Sequence, residues 1–194
     1  MKKRIAFIGA LISLMPSTHT LLIGTGVALT SAAVTISMPE KAQAETARFY
    51  EKRADKKFYD EDYYGAIADY LKAIEVNTDF EDTYYAFARI GRSQYYLKDY
   101  KNSIKSLTKS IQIRPRYKYA YDLRGDAKLD SGDYYGAISD YNKAIDIKSD
   151  DSYSYYFRAN AKRRIGDMKG ACADWKTASS LGDKHAANRL RESC

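Results

Sequence analysis

A 34-residue period constrains this chain more than any other feature of its sequence. The hexapeptide DYYGAI stands at residues 62–67 and again at 133–138, with the variants DYKNSI at 99–104 and DMKGAC at 167–172. The successive spacings are 37, 34 and 34 residues, so three extra residues, Glu81, Asp82 and Thr83, interrupt an otherwise strict repeat. A fixed period of this length is the mark of a stacked, repetitive architecture. The units run 47–80, 84–117, 118–151 and 152–185. Each has a small residue at its eighth place (Ala54, Gly91, Gly125, Ala159), its twentieth (Ala66, Ser103, Ala137, Ala171) and its twenty-seventh (Ala73, Ser110, Ala144, Ala178). Two helices approach closely only where neither carries a large side chain, so these places mark the seam of a helical hairpin.

Larger side chains fall at fixed places as well. Place four holds Tyr50, Phe87, Tyr121 and Tyr155; place seventeen holds Tyr63, Tyr100, Tyr134 and Met168; place twenty-four holds Tyr70, Leu107, Tyr141 and Trp175. These are expected to fill the wider gaps between helices. Gly132 and Gly166 suit the turn within a hairpin, Pro115 suits a first helical turn, and Ser149, Asp150 and Asp151 offer capping oxygens before the fourth unit. In this pattern the chain resembles the tetratricopeptide repeat family, unit by unit across residues 47–185. Arg53, Arg124 and Arg158 depart from it, standing where the family often has leucine, and only Pro115 supplies the proline usual near a unit's end; Thr78, Ser149 and Asp183 replace it elsewhere. The resemblance implies an all-α fold, a right-handed solenoid of four helical hairpins. Residues 183–194 then read as a capping helix, with Ala186, Ala187 and Leu190 on its apolar side.

The first 44 residues follow different rules. Lys2, Lys3 and Arg4 precede apolar stretches at 5–15 and 21–36, and Ala42-Gln43-Ala44 has the small-x-small pattern of a cleavage site. They read as a secretory signal peptide, with an uncleaved membrane anchor as the alternative; both place the remainder outside the cytoplasm, in a periplasmic or other extracytoplasmic space typical of exported bacterial proteins. Without them the net charge falls from +7 to +4, and no concentrated basic face calls for nucleic acid.

Chemistry lacks parts. Beyond residue 44 there is a single histidine, His185, and two cysteines, Cys172 and Cys194. No metal site, cofactor or nucleophile–base pair is expected, and no small-molecule substrate is implied. Asp60, Glu61 and Asp62 cluster, but on a turn between helices, where solvated caps are expected. The two cysteines lie at similar heights on either side of a turn near Gly182. They read either as a structural disulfide or as a small core residue, Cys172, with Cys194 at a frayed end.

Function then rests on binding a protein or peptide. By resemblance, the concave face is lined by the first helix of each hairpin: Tyr85, Tyr119 and Tyr153 at place two, Asp122 and Tyr156 at place five, Arg89 at place six, Arg92, Asp126 and Asn160 at place nine, and Tyr95, Tyr96 and Arg163 at places twelve and thirteen. Tyrosine recurs at place two of three successive units, which suits either an interface groove or rings packed between hairpins. Family members that grip a chaperone's C-terminal carboxylate carry a set of Lys, Asn and Arg residues where this chain has Glu51, Asp55, Arg89, Tyr119 and Leu123, so that clamp is absent. Net charge alternates along the chain, −4 over 47–82, +8 over 83–118, −4 over 119–151 and +5 over 152–194. Lys101, Lys105 and Lys109 form a stripe on the outer helix of the second unit, either a solvated face or a contact for an anionic membrane or envelope surface. The expected function is a non-catalytic scaffold, with assembly of an envelope complex through the basic outer face, or glycan binding by exposed tyrosines, as alternatives.

Overall fold

The computed structural model describes residues 39–76 and 83–194. The signal-like stretch at 1–38, Thr78, and Glu81 and Asp82 of the insertion lie outside the described residues. Among the described residues the secondary structure is helical throughout: α1 (Glu40–Tyr59), α2 (Tyr63–Val76), α3 (Thr83–Tyr96), α4 (Tyr100–Ile113), α5 (Lys118–Ser131), α6 (Tyr134–Ile147), α7 (Ser152–Arg164), α8 (Met168–Ser180) and α9 (Lys184–Ser193). Consecutive helices pack against one another along the chain, and the first helices α3, α5 and α7 also touch in sequence. The result is four stacked hairpins closed by α9. The first helix begins at Glu40, ahead of Ala44.

The small-residue seam is built as the repeat requires. Ala54, Ala66, Ala137, Ala144, Ala159, Ala171, Ala178, Ser103 and Ser110 have no exposed surface. Glycine is required at place eight of two units, because a β-carbon at Gly91 would stand 2.6 Å from Leu107 Cγ and one at Gly125 only 2.7 Å from Tyr141 Cε1. The place-twenty-four side chains Tyr70, Leu107, Tyr141 and Trp175 are fully buried and centre the four successive apolar clusters. Core formation is thus distributed along the stack rather than gathered in one nucleus, as in other solenoids.

Three expectations change on contact with the structure. The place-seventeen rings are only partly buried and seal junctions as well as packing within their own hairpins: Tyr63 lies 5.4 Å from Phe58 of its hairpin and stacks on Tyr96 of the next at 5.2 Å, and Arg164 of the following unit lies 4.9 Å from the Tyr134 ring centre. Pro115 lies in the turn before α5, whose N-cap is Tyr117. Asp151 is the N-cap residue of α7 but makes no capping hydrogen bond, since its carboxylate turns to Lys118. Working caps are instead the repeated aspartates: Asp62, Asp133 and Asp167 accept the amide hydrogens of Gly65, Gly136 and Gly170 at 2.8 to 2.9 Å. The turn residue one position before each aspartate is left-handed. Glycine fills it at Gly132 and Gly166, whereas Glu61 (φ 61°) and Lys98 (φ 60°) adopt it against their preference.

The arginines that replace leucine have a partner on the neighbouring helix. Arg53, Arg124 and Arg158 each grip Asp69, Asp140 and Asp174 through two parallel hydrogen bonds of 2.6 to 2.9 Å, and Lys57, Lys128 and Lys162 add a second cation at 2.8 to 3.0 Å. The carboxylates are at most 5 % exposed. The place-four rings Tyr50, Tyr121 and Tyr155 lie under those guanidinium groups, 5.1 to 5.7 Å away, so they too are rims of this arrangement rather than core. The second unit replaces the ionic set with Ile90, Gln94 and Ser106, the last two hydrogen-bonded at 2.8 Å.

At the end of the stack, Cys172 of α8 and Cys194 after α9 form a disulfide with a Cα–Cα distance of 5.9 Å. It ties α9 over the cluster of Ala159, Ala171, Trp175, Ala178 and Ala186.

Candidate functional site

The inner helices α3, α5 and α7 enclose a groove of 620 Å³ lined by Arg92, Tyr95 and Tyr96 from α3, by Tyr119, Asp122, Leu123 and Asp126 from α5, and by Asp151, Tyr153 and Phe157 at α7. Seven of the concave-face candidates therefore converge here: Arg92, Tyr95, Tyr96, Tyr119, Asp122, Asp126 and Tyr153. The others do not. Tyr156 faces a small recess with His185, Asn188 and Arg189, while Asn160 and Arg163 line another with Asp130, Tyr134 and Arg164. Tyr85 is partly buried beside the Arg89 guanidinium, 5.9 Å from its ring centre.

Arg89 is structural. It is 5 % exposed, donates to Tyr70 Oη at 2.9 Å and to the Asp55 carboxylate at 2.6 Å, and lies 4.5 Å from the Phe58 ring centre. Its burial and these two bonds tie it into the stack.

The groove's two walls differ in charge. On the α3 side Arg92 lies over the Phe58 and Tyr96 rings at 4.7 and 5.6 Å. On the α5 side Asp122 accepts from Ser154 Oγ at 2.7 Å and shares Lys118 with Asp151. Burial works against the Lys118 charge, yet these two carboxylates outweigh it and raise its pKa. Asp126 is 6 % exposed and receives the hydroxyls of Tyr141 at 2.7 Å and Tyr153 at 2.5 Å. Burial pushes its carboxyl up to about 7, against the pull of those two hydrogen bonds. Tyr95 bridges α3 to α5 by donating to Asp130 at 2.6 Å. The Tyr119 hydroxyl is buried in the groove with no hydrogen-bond partner among the described residues.

Sequence reasoning missed Phe157, Leu123 and Asp151 as lining residues. Leu123 and Phe157 sit at place six, the place that carries Arg89 in the second unit, and comparing that place across units was the available signal.

The stacked 34-residue hairpins match a family model as well as a geometry. The tetratricopeptide repeat model matches residues 84–117 and 119–151. The chain carries tetratricopeptide repeats. No curated protein matches the sequence of this repeat protein. Among solved structures it is similar to MamA (21 % identity, TM-score 0.66, covering 76 % of this chain and 84 % of that one) and to MamA from Desulfovibrio magneticus RS-1 (15 % identity, TM-score 0.70, 76 % and 83 %). It is also similar to the second repeat domain of human RPAP3, solved in complex with an HSP70 peptide (18 % identity, TM-score 0.57, 64 % and 98 %). At these identities the likeness concerns the fold. The carboxylate-clamp positions of this repeat protein serve its own packing: Asp55 and Arg89 pair with each other, and Leu123 is buried in the groove wall.

Proposed function

We propose that this protein is a non-catalytic scaffold that acts outside the cytoplasm and holds a segment of a protein partner in the groove between α3, α5 and α7. The observation that carries this reading is the convergence of Tyr95, Tyr119, Tyr153 and Phe157, with Arg92, Asp122, Asp126 and Asp151, on one open groove. Aromatic walls with few, fixed polar groups are how a groove takes a peptide with little loss of side-chain entropy. Similar domains that bind peptides, such as the RPAP3 domain with its HSP70 peptide, support a peptide as the occupant. Export rests on the sequence of residues 1–44.

Crosslinking the mature protein in its native envelope identifies what it holds. Replacing Tyr119 and Tyr153 by alanine then weakens that complex by about tenfold or more while helicity is retained. An unchanged affinity for the identified partner rejects the groove.

A second reading follows from the outer face. Lys101, Lys105 and Lys109 are exposed on α4, with Lys109 over the Phe87 ring at 5.2 Å. Docking of this stripe on an anionic surface predicts association with acidic liposomes that disappears as salt is raised.

A further inference from the structure

The first and third units contain the same pair, an aspartate at place nine and a fully buried tyrosine at place twenty-four whose hydroxyl donates to it: Tyr70 to Asp55, which is partly exposed, and Tyr141 to Asp126, which is buried. In the first unit the next hairpin completes the arrangement, because Arg89 at place six reaches Asp55 at 2.6 Å. In the third unit the next hairpin brings Phe157 to that place. Asp126 is left with two neutral hydroxyls, and no cation among the described residues lies within ion-pair distance of it. Arg92, on the facing wall, is turned onto the Phe58 and Tyr96 rings, and Lys118 is shared by Asp122 and Asp151.

A buried carboxylate without a counter-charge is expensive unless something arrives to satisfy it. A carboxylate offers about four acceptor positions, and the two tyrosine hydroxyls fill two of them. The groove above Asp126 is walled by Tyr95, Tyr119, Tyr153 and Phe157, faces on which an ammonium or guanidinium group rests favourably. Asp122 and Asp130 lie near enough to act on Asp126, and the Lys118 charge is taken up between Asp122 and Asp151.

We propose that the groove receives an arginine or lysine side chain of the partner segment, with Asp126 as its counter-ion, replacing in trans the cation that Arg89 supplies to Asp55 in cis. This rests on the groove being the binding surface, and it adds the chemistry of what enters. The repeat thus distinguishes a closed copy of the aspartate–tyrosine pair, used for stacking, from an open copy, used for recognition.

The test uses the full chain and fluorescein-labelled nonapeptide pools, randomised except at the centre, which is arginine in one pool, citrulline in another and glutamate in a third. Fluorescence anisotropy is expected to show the arginine pool bound on the order of tenfold tighter than the citrulline pool, with the glutamate pool weakest. Asp126→Asn, nearly isosteric, brings the arginine pool down to the citrulline level. Phe157→Arg installs the missing cation within the chain and does the same by a different route, with circular dichroism reporting that each variant stays helical. Should one variant fail to fold, the other and the wild-type comparison still decide. Equal affinity for arginine and citrulline, a preference for glutamate, or arginine preference that survives in the folded variants overturns the proposal. In that case a loss of affinity for all pools on Tyr119→Ala leaves the groove reading standing. Binding of no pool overturns both.

Discussion

Asp69 and Asp126 are both buried carboxylates, yet they respond to acid in opposite senses. The Arg53 hydrogen bonds, with Lys57, hold Asp69 down to about 2, below its ordinary value of 3.8. Its contribution to stability is complete above about pH 4 and is lost as pH falls from there towards 2. Burial without a cation holds Asp126 up at about 7. Because the native state binds a proton that the unfolded state has released, stability falls as pH rises from about 4 to about 7. Urea midpoints measured across this range are expected to show Asp126→Asn removing that decline, and a wild-type minus variant difference that does not change with pH would contradict it. Gly125 gives a second expectation at this scale. Alanine is a better helix former than glycine, but its β-carbon at 2.7 Å from a fully buried ring pinned by Asp126 has no room to be accommodated. The clash outweighs the propensity gain, and Gly125→Ala is expected to lose about 1 to 3 kcal/mol, read as a thermal midpoint several degrees lower.

At the scale of the hairpin, the ionic set shows how two helices can be keyed together by polar groups beside a seam of alanines. Its carboxylates are almost fully buried while the cations remain partly solvated: the Asp140 side chain is 4 % exposed, Arg124 16 % and Lys128 18 %. Removing the acid alone strands two cations at the seam, so Asp140→Ala is expected to cost about 3 kcal/mol in denaturant unfolding. Transplanting the second unit's solution, Arg124→Ile with Lys128→Gln and Asp140→Ser, is expected to recover most of that loss, since the mate-less charges are gone. A triple variant no more stable than Asp140→Ala would show that the ionic set is worth more than its neutral equivalent. The seam itself and the hairpins were legible in the small residues. The ionic set was not, because an arginine in place of leucine says only that a departure exists; its partner lies sixteen residues away on another helix and is found by packing.

Over the whole molecule, stability is shared between neighbouring hairpins, so the ends matter disproportionately. The Cys172–Cys194 bridge closes a loop of sequence separation 22 and contributes about 3 kcal/mol in the chain-entropy model. Reduction is expected to increase hydrogen exchange first in α8 and α9, around Trp175, while α3 to α6 keep their protection. Uniform loss of protection along the chain would instead mean that the stack unfolds as one unit.

The amino-acid sequence by itself determined the repeat, the all-α hairpins, the turn positions and the closure by α9, because these depend on side-chain size and backbone preference at fixed spacing. Only the tertiary structure decided which concave residues share one groove, that Arg89 is consumed by Asp55, and that Asp126 is not matched in the same way. Those outcomes depend on which residue the next hairpin brings to a given place, arginine or phenylalanine, and on how deeply the stack buries the acid it meets. Spacing along a chain sets where helices start and stop; the pairing of charges between them is settled by distance and exclusion of water, which exist only once the hairpins are stacked.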